Sequence, residues 1–341
     1  MNKILDSFDR KSPLKWLVVI GLVVIIGFII HAHIEKPLID EIIGDDFVKQ
    51  GDMKVVPVPI PKKLSFAGEE VPLNLFYVRE SLDRELTVNT YWHSQSLLLF
   101  KRAHRYFPVI EPILKKNDIP EDFKYMILAE SGFLHNISIA GAAGYWQFIK
   151  STAQEYGLEV NQYVDERYNL EKSTEAMCKF LKKAYEKYGT WTLAAAAFNG
   201  GMGRFDRIVQ SQKTTNYYEM YMNQETSRYI FRILAFKLIF EHPERYGYYF
   251  KKENLYPPIP SKEIVVKEDI SNLIEFAQKQ GINYRILREL NPWISDTSLI
   301  VSPNKRYRIK IPTGNYKNYD EMIREEVNKE ASVPDNSYDK D

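Results

Sequence analysis

The sequence predicts a mainly α-helical protein with a small βααβ unit near its C-terminus and an apolar N-terminal helix. Three observations lead to this fold class. From about Pro72 to Tyr249, apolar and aromatic residues recur at helical spacing. After a proline-rich stretch at 256–262, the pattern changes to strand, helix, helix and strand. Residues 16–30 form an unbroken apolar run, WLVVIGLVVIIGFII.

The composition excludes several classes of protein. A chain of 341 residues is enough for roughly two domains, and a net charge of +1 gives no general reason to expect nucleic acid as a partner. The single cysteine, Cys178, lies in a helical apolar stripe, which indicates a buried structural thiol. The six histidines lack metal-ligand spacing, so we expect no metal and no cofactor.

The N-terminal run predicts a membrane anchor at 14–34. Basic residues precede the run and mostly acidic residues follow it. The positive-inside rule therefore places residues 1–13 in the cytoplasm and everything after the span outside. A cleaved signal peptide is the alternative, but the run is followed by no small-residue cleavage site and by no cysteine that could carry a lipid.

The remaining elements follow in chain order. Residues 35–65 are proline-spaced and predict an extended tether, and 66–255 are expected to form the helical domain. Within it, the stretch that includes Pro108 predicts two helices separated by a proline break. The next helix begins at Asn169 or Ser173, either of which can cap it.

The C-terminal part is expected to form a separate unit at 256–314. YPPIPSK, at 256–262, predicts a linker. EIVV and RYRIKIP predict two strands that enclose two short helices. The polar, acid-rich stretch at 315–341 predicts a disordered tail.

One glutamate stands on an apolar helical face. Phe123, Met126 and Ile127 define the stripe, Glu130 occupies its i+7 position, and Gly132 is a plausible stop. Burial and the negative end of the helix dipole both raise the pKa of such a carboxyl group, which suits a proton donor. The alternative, a glutamate at a frayed helix end paired with Lys or Arg, remains open on this evidence.

Four segments in the helical region carry candidate ligand-binding groups. They are ESGF with Glu130, SIAGAAGYWQFIKSTAQEYGL at 138–158, AAAAFNGGMGR at 194–204, and ETSRYI with Tyr229. The amides of Gln147 and Asn199 can donate and accept hydrogen bonds to sugar hydroxyl and acetamido groups. The aromatic residues of YWQF could stack on sugar rings, although such residues are more often part of a core.

Together and in this order, the segments resemble the family 1 lytic transglycosylases, most closely the membrane-bound type D enzymes. The resemblance covers roughly residues 85–240 and implies a fold similar to goose-type lysozyme and cleavage of peptidoglycan. It implies that Glu130 is the catalytic acid and base. The substrate-binding residues that it implies are Ser131, Ser138, Tyr145, Gln147, Asn199 and Tyr229. The chain departs from the usual pattern at Phe198, where the family has Tyr, and at Tyr145, where Leu or Ile is common.

The resemblance also implies a reaction and a location. Glu130 would protonate the glycosidic oxygen between N-acetylmuramic acid and N-acetylglucosamine, and a 1,6-anhydro sugar would form. The chain would be a single-pass inner-membrane protein with its catalytic domain in the periplasm. The C-terminal unit resembles a LysM sugar-binding module, with Leu290, Asn291 and Pro292 in its typical turn, but it lacks the usual Gly-Asp-Thr.

Two alternative functions remain. A hydrolytic muramidase would need a second carboxylate, for which Asp165, Glu166 and Glu225 are candidates. A non-catalytic peptidoglycan-binding anchor is the other, although the intact Glu130, Gln147 and Asn199 argue against it.

Overall fold

The structure is a computed structural model that describes residues 55–331. The predicted anchor at 14–34 and most of the predicted tether lie outside the described residues. Within residues 55–331, none of the helices combines the length and the apolar character that a bilayer crossing requires. By its internal contacts the chain divides after Pro57, and the elements below all belong to the unit that starts at Val58.

The helical domain opens with a two-stranded hairpin and continues with eight α-helices. The hairpin consists of β1 (Ser65–Phe66) and β2 (Glu69–Glu70). The helices are α1 (Phe76–Tyr91), α2 (His93–Lys116), α3 (Met126–Glu130), α4 (Lys150–Glu155), α5 (Leu170–Tyr188), α6 (Trp191–Gly200), α7 (Met202–Gln212) and α8 (Gln224–Glu241).

The core of this domain forms where α8 packs against α1, α3 and α6. Tyr229, Ile230, Ile233 and Leu234 are buried, which confirms the helical spacing seen in the sequence. Helix α5 begins at the Asn169 cap, whose side-chain oxygen accepts a 3.0 Å hydrogen bond from the backbone N–H of Lys172. Of the two predicted caps, the structure therefore uses the first.

The predicted break in α2 is wrong. Pro108 and Pro112 both lie inside one continuous helix. Each proline removes one backbone donor and costs helix stability. Buried Leu99 and Ala103 before the prolines, and Ile110 and Leu114 around and after them, anchor both halves of the helix to the same core. Tertiary packing therefore outweighs the local cost.

The C-terminal unit has the predicted βααβ order. Strand β3 (Ser261–Val266) pairs antiparallel with β4 (Tyr307–Pro312), and Ser261 lies opposite Pro312. Helices α9 (Leu273–Lys279) and α10 (Tyr284–Leu290) connect the strands. We call this unit, from β3 to β4, the C-terminal module.

The predicted linker at 256–262 is wrong in part, because its two ends are structured. The last two residues of this stretch belong to β3. The backbone N–H of Tyr256 donates to the carbonyl of Lys101 in α2 at 3.3 Å, and Nε of Arg105 donates to the carbonyl of Pro257 at 3.0 Å. The stretch is attached to the helical domain and does not behave as a free spacer.

The core of the C-terminal module includes a segment of the helical domain. Val164 is fully buried in that core and forms a β-bridge with Ile294. The backbone N–H of Asp165 donates to the carbonyl of Trp293 at 2.8 Å, and that of Ser295 donates to the carbonyl of Tyr163 at the same distance. The two parts of the chain therefore share a core at this contact.

The predicted disorder after residue 315 is wrong for residues 319–331, which form helix α11 (Tyr319–Ala331). Met322 is buried, and Nζ of Lys252 donates to the backbone carbonyl of Glu326 at 3.3 Å. Tyr319, Met322 and Ile323 stand at helical spacing within an acid-rich stretch. This short apolar stripe supplies a buried contact that the overall acid-rich composition of the segment does not indicate.

Ending the chain after Tyr256 should destabilise the helical domain. Val164 and its neighbours would lose their packing and backbone partners, and burying one such side chain is worth about 1.5–3 kcal/mol. We expect the Tm of the shortened protein to fall by about 5 °C or more, as measured by calorimetry. A chain ending after Thr313, which keeps the module's core, should lose less. Equal Tm values for the full chain and the chain ending after Tyr256 would contradict the shared core.

Candidate active site

Glu130 is the last residue of α3 and lies at the end of a buried helical face. A 3-10 turn, Glu121–Tyr125, precedes α3. Met126 and Ile127 are buried as the sequence predicted. The helix ends because the backbone N–H groups of Ser131 and Gly132 both donate to the carbonyl of Ile127, at 3.0 and 2.9 Å. Gly132 has a φ of +55°, which breaks the helical path.

The carboxyl group of Glu130 is desolvated, although the residue as a whole is only half-buried. The hydroxyl of Tyr229 on α8 donates to its Oε1 at 2.5 Å. Burial raises the pKa of Glu130 to about 7, while the Tyr229 hydrogen bond and the charge of Arg232 oppose the rise. Its hydrogen-bond partner is thus a tyrosine, and Glu130 forms no ion pair with Lys or Arg among residues 55–328, unlike a frayed-end glutamate.

Arg232 lies near Glu130, but other carboxylates share its charge. Its guanidinium is 3.7 Å from the fully buried Glu85 on α1 and 3.3 Å from Glu225 on α8. Nε of Arg228 also donates to Glu85, at 2.6 Å. Because Arg232 serves two other carboxylates, its lowering effect on the pKa of Glu130 does not offset desolvation. A proton can therefore stay on Glu130 near neutral pH.

The segment 141–148, which we call the glycine loop, lies beside Glu130. Oγ of Ser131 donates to the backbone carbonyl of Tyr145 at 2.7 Å and ties the end of α3 to this loop. Nε2 of Gln147 donates to the carbonyls of Asn136 and Gly144, both at 3.0 Å. Gln147 itself has a φ of +51°, an uncommon conformation for a residue with a side chain. Such strained positions concentrate at functional sites.

Arg167 holds the glycine loop in place from behind. Its Nη1 donates to the carbonyls of Gly141 and Phe148, both at 3.1 Å, and its own carbonyl accepts from the N–H of Tyr145 at 3.2 Å. A Cβ added at Gly144 would lie 2.0 Å from the Arg167 carbonyl oxygen, so only glycine fits there. Asp165 fixes the guanidinium by accepting from Nε and Nη2 at 2.9 and 2.7 Å.

The sequence reasoning did not identify Arg167. It lies in DERYNLEKST, where the sequence offers Asp165 only as a possible base. A basic residue two positions from an acidic one is common on protein surfaces. Only the fold shows that this pair is buried and that the arginine reaches two carbonyl groups of a distant loop.

The other predicted site residues fall into two groups. The rings of Tyr145, Trp146 and Phe148 are buried, and indole Nε1 of Trp146 donates to Oγ1 of Thr174 at 2.9 Å, so these rings belong to the core. Ser138 and Asn199 are exposed. Oγ of Ser138 accepts from the N–H of Ala142 at 3.0 Å and so serves its own turn.

Asn199 lies at the exposed C-terminal end of α6, and its side chain makes no hydrogen bond to any residue in the described range. Phe198, beside it, packs edge-to-face on Phe148 and Phe180 at 5.2 and 5.1 Å. Phe198 stands where the resembled family has Tyr, and its ring therefore packs against the aromatic core. Within the part of the chain that the structure describes, no group of His, Cys, Asp and Glu side chains could hold a metal ion.

Residues 107–221, which include Glu130 and the glycine loop, match the transglycosylase SLT domain. Residues 262–315 match the soluble lytic transglycosylase C-terminal LysM-like domain. The chain therefore carries an SLT transglycosylase domain followed by a LysM-like domain. Tyr229 lies beyond the matched SLT range, yet it provides the hydrogen bond to Glu130.

Two curated proteins are similar in sequence to parts of this chain. It is 28% identical over 247 residues to the membrane-bound lytic murein transglycosylase D of Escherichia coli (strain K12), which covers 69% of this chain and 52% of that protein. It is 30% identical over 114 residues to a putative tributyltin chloride resistance protein of Alteromonas sp. (strain M-1), which covers 33% of this chain and 55% of that protein. The chain thus spans about half the length of the curated relatives it matches.

Glu130→Gln should stabilise the fold, and more so at high pH. The folded-state pKa of about 7 lies above the ordinary value of 4.5. The stability contributed by the protonated carboxyl is therefore complete below pH 4.5 and is lost as the pH rises through 7. Between pH 4.5 and 8, we expect the variant's free energy of unfolding to gain about 2–3 kcal/mol relative to wild type in urea titrations.

The exposed Glu244 supplies a control for this measurement. Glu244→Gln should show no comparable gain with pH. A pH-independent difference between Glu130→Gln and wild type would mean that the Glu130 carboxyl is not desolvated.

Arg167→Ala should destabilise the protein by about 3–5 kcal/mol, because it leaves the buried carboxylate of Asp165 without its partner. Arg207→Ala, which removes an exposed arginine from α7, should change stability by less than about 0.5 kcal/mol. Urea unfolding of both variants checks this. Equal losses in the two would remove Arg167 from its role in holding the glycine loop.

Proposed function

We propose that this chain is a peptidoglycan lytic transglycosylase that cleaves the bond between N-acetylmuramic acid and N-acetylglucosamine and leaves 1,6-anhydro-N-acetylmuramic acid ends. The observation that carries the proposal is Glu130, a desolvated carboxyl group with a pKa of about 7 and a tyrosine hydroxyl as its hydrogen-bond donor. The SLT domain and the murein transglycosylase relative support the substrate class.

Glu130 would serve as acid and then as base. Near pH 7 a substantial fraction of the group is protonated, so it can give its proton to the glycosidic oxygen as the bond breaks. The carboxylate that remains can accept the proton of the muramic C6 hydroxyl as that oxygen closes on C1. The attacking hydroxyl is tethered to the same sugar, and held geometry favours such an intramolecular step.

Tyr229 supports both roles of Glu130. Its hydroxyl donates to one carboxyl oxygen, which fixes the group and leaves the other oxygen for the substrate. The hydrogen bond stabilises the carboxylate that forms after the first step and opposes too high a pKa. Gln147 and Asn199 are assigned to the sugar's acetamido group, and Ser131 holds the glycine loop next to the acid. Ser138 is assigned to the same binding surface, and Tyr145 contributes to it through its backbone carbonyl, which accepts from Ser131.

The ion pairs of the other candidate carboxylates argue against hydrolysis. Arg167 binds Asp165 through two nitrogens. Glu166 is buried, forms an ion pair with Lys172 and accepts from the N–H of Glu159. Glu225 is exposed and pairs with Arg232, but its charge raises the pKa of Glu130, so it is the one candidate base close enough to test.

The proposed location combines the N-terminal run with the relative. Residues 14–34 would form a single anchor in the inner membrane, residues 1–13 would be cytoplasmic and the catalytic domain, at 66–255, would lie in the periplasm. The LysM-like unit at 256–314 would bind the same wall. A reporter fused after Asp341 that is active only in the cytoplasm would contradict this topology.

The product decides the reaction class. The full chain should release soluble fragments from purified sacculi that are lighter by one water than the hydrolysis products, as measured by mass spectrometry. In ¹⁸O-labelled water these fragments should carry no label. Glu130→Gln should reduce release by about a hundred- to ten-thousand-fold, while Glu225→Gln should keep most of it. Labelled, reducing products that depend on Glu225 would establish a muramidase instead, and no release at all would indicate a binding anchor.

A further inference from the structure

A cavity of about 450 Å³ lies between the helical domain and the C-terminal module. Its volume falls within the range of small-ligand sites, roughly 300–1,000 Å³. One wall comes from α2 and the start of α5, and the opposite wall comes from β4 and the segment after α10. We call it the interdomain pocket. Glu130 is not among its lining residues, so it is separate from the catalytic carboxyl group.

Aromatic rings from both parts of the chain line the interdomain pocket. Tyr145 and Tyr168 come from the helical domain, and Trp293 and Tyr307 come from the module. The hydroxyl of Tyr168 makes no hydrogen bond to any residue in the described part of the chain, so it is available to a ligand. These rings offer apolar walls with a few polar groups, which is the usual lining of a ligand site.

The unneutralised charge of the pocket is positive. Lys310 forms an ion pair with Glu171, and Arg308 pairs with Glu263 at 2.8 Å. These two carboxylates are therefore already neutralised. Of the acidic residues in the lining, only Glu289 has no ion pair to a residue within 55–328.

Two guanidinium groups retain free donors. Arg306 is exposed and forms no ion pair or hydrogen bond with any residue that the structure describes. Arg105 uses Nε for the carbonyl of Pro257, which leaves its two terminal nitrogens. A guanidinium presents a planar fork that fits a carboxylate through two parallel hydrogen bonds.

We propose that the interdomain pocket binds a short peptide with free carboxylates, the chemistry that the peptide side chains of peptidoglycan carry. This proposal rests on the proposed function, because peptidoglycan is the source of the peptide ligand. The two guanidinium groups match carboxylates, the rings match small apolar side chains, and the Tyr168 hydroxyl matches a peptide carbonyl. A neutral glycan would leave both guanidinium groups without a counter-charge.

Tyr145 connects this pocket to the catalytic site. Its ring lines the pocket, while its backbone carbonyl accepts from Ser131, the residue next to Glu130. A peptide in the pocket would therefore contact the glycine loop at Tyr145, whose backbone is bonded to the residue after Glu130. The pocket would select strands that bear peptides, and the selection would appear in KM for peptide-bearing strands.

The test is calorimetric titration of the full-length Glu130→Gln protein, which keeps the pocket and lacks the titrating acid. The probe is N-acetylalanyl-γ-glutamylalanine, which has two carboxylates. The comparisons are its diamide and the neutral, fully N-acetylated trisaccharide chitotriose. We expect binding of the free acid and weaker binding of the diamide. In the same background, Arg306→Glu and the milder Arg306→Gln should each weaken binding by about tenfold or more, because each removes a charge-assisted bond.

Arg285→Glu is the matched control, because Arg285 is exposed on the same module, outside the pocket, and carries the same change of charge. It should leave peptide binding unchanged. Equal losses for Arg285→Glu and Arg306→Glu, equal affinity for acid and diamide, or displacement of the peptide by chitotriose would overturn the proposal. Because Glu130 plays no part in this binding, the result is independent of whether the wild-type protein forms anhydro products.

Discussion

The segment Tyr163–Arg167 is the constraint on which the rest of the structure depends, because the core of the C-terminal module and the glycine loop both use it. Val164 is buried in the C-terminal module, the backbone of Asp165 bonds to Trp293, and the side chain of Arg167 bonds to the glycine loop. None of these contacts is unusual alone. Together they mean that the module, the loop and the end of α3 are fixed relative to one another by a few consecutive residues.

This arrangement explains how a single carboxyl group can be kept desolvated at the edge of a domain. Glu130 is at the end of a short helix, where a chain normally frays. The Ser131 bond to the glycine loop and the Tyr229 bond from α8 hold it from two sides. Desolvation raises its pKa to about 7, and the cost of that burial is offset by the packing of the surrounding core.

The buried ion pairs around the site mainly fix the position of α8. Glu85 is almost completely inaccessible and binds Arg228 and Arg232 on α8, the helix that carries Tyr229. Removing one partner of such a network costs far more than the intact network contributes. The network joins α1 to α8, the helix whose Tyr229 hydroxyl bonds to Glu130.

Local patterns in the sequence determined the helical class, the βααβ unit and the burial of the stripe ending at Glu130, and they limited the cap of α5 to Asn169 or Ser173, because periodicity and capping are local. The sequence did not predict the continuous α2 or the ordered α11. Tertiary contacts outweighed the effect of the two prolines inside α2 and of the polar, acid-rich composition of α11. The partner of Glu130, the role of Arg167 and the interdomain pocket depend on residues far apart in the chain. Tyr229 is 99 positions from Glu130, and only folding brings the hydroxyl to the carboxyl group.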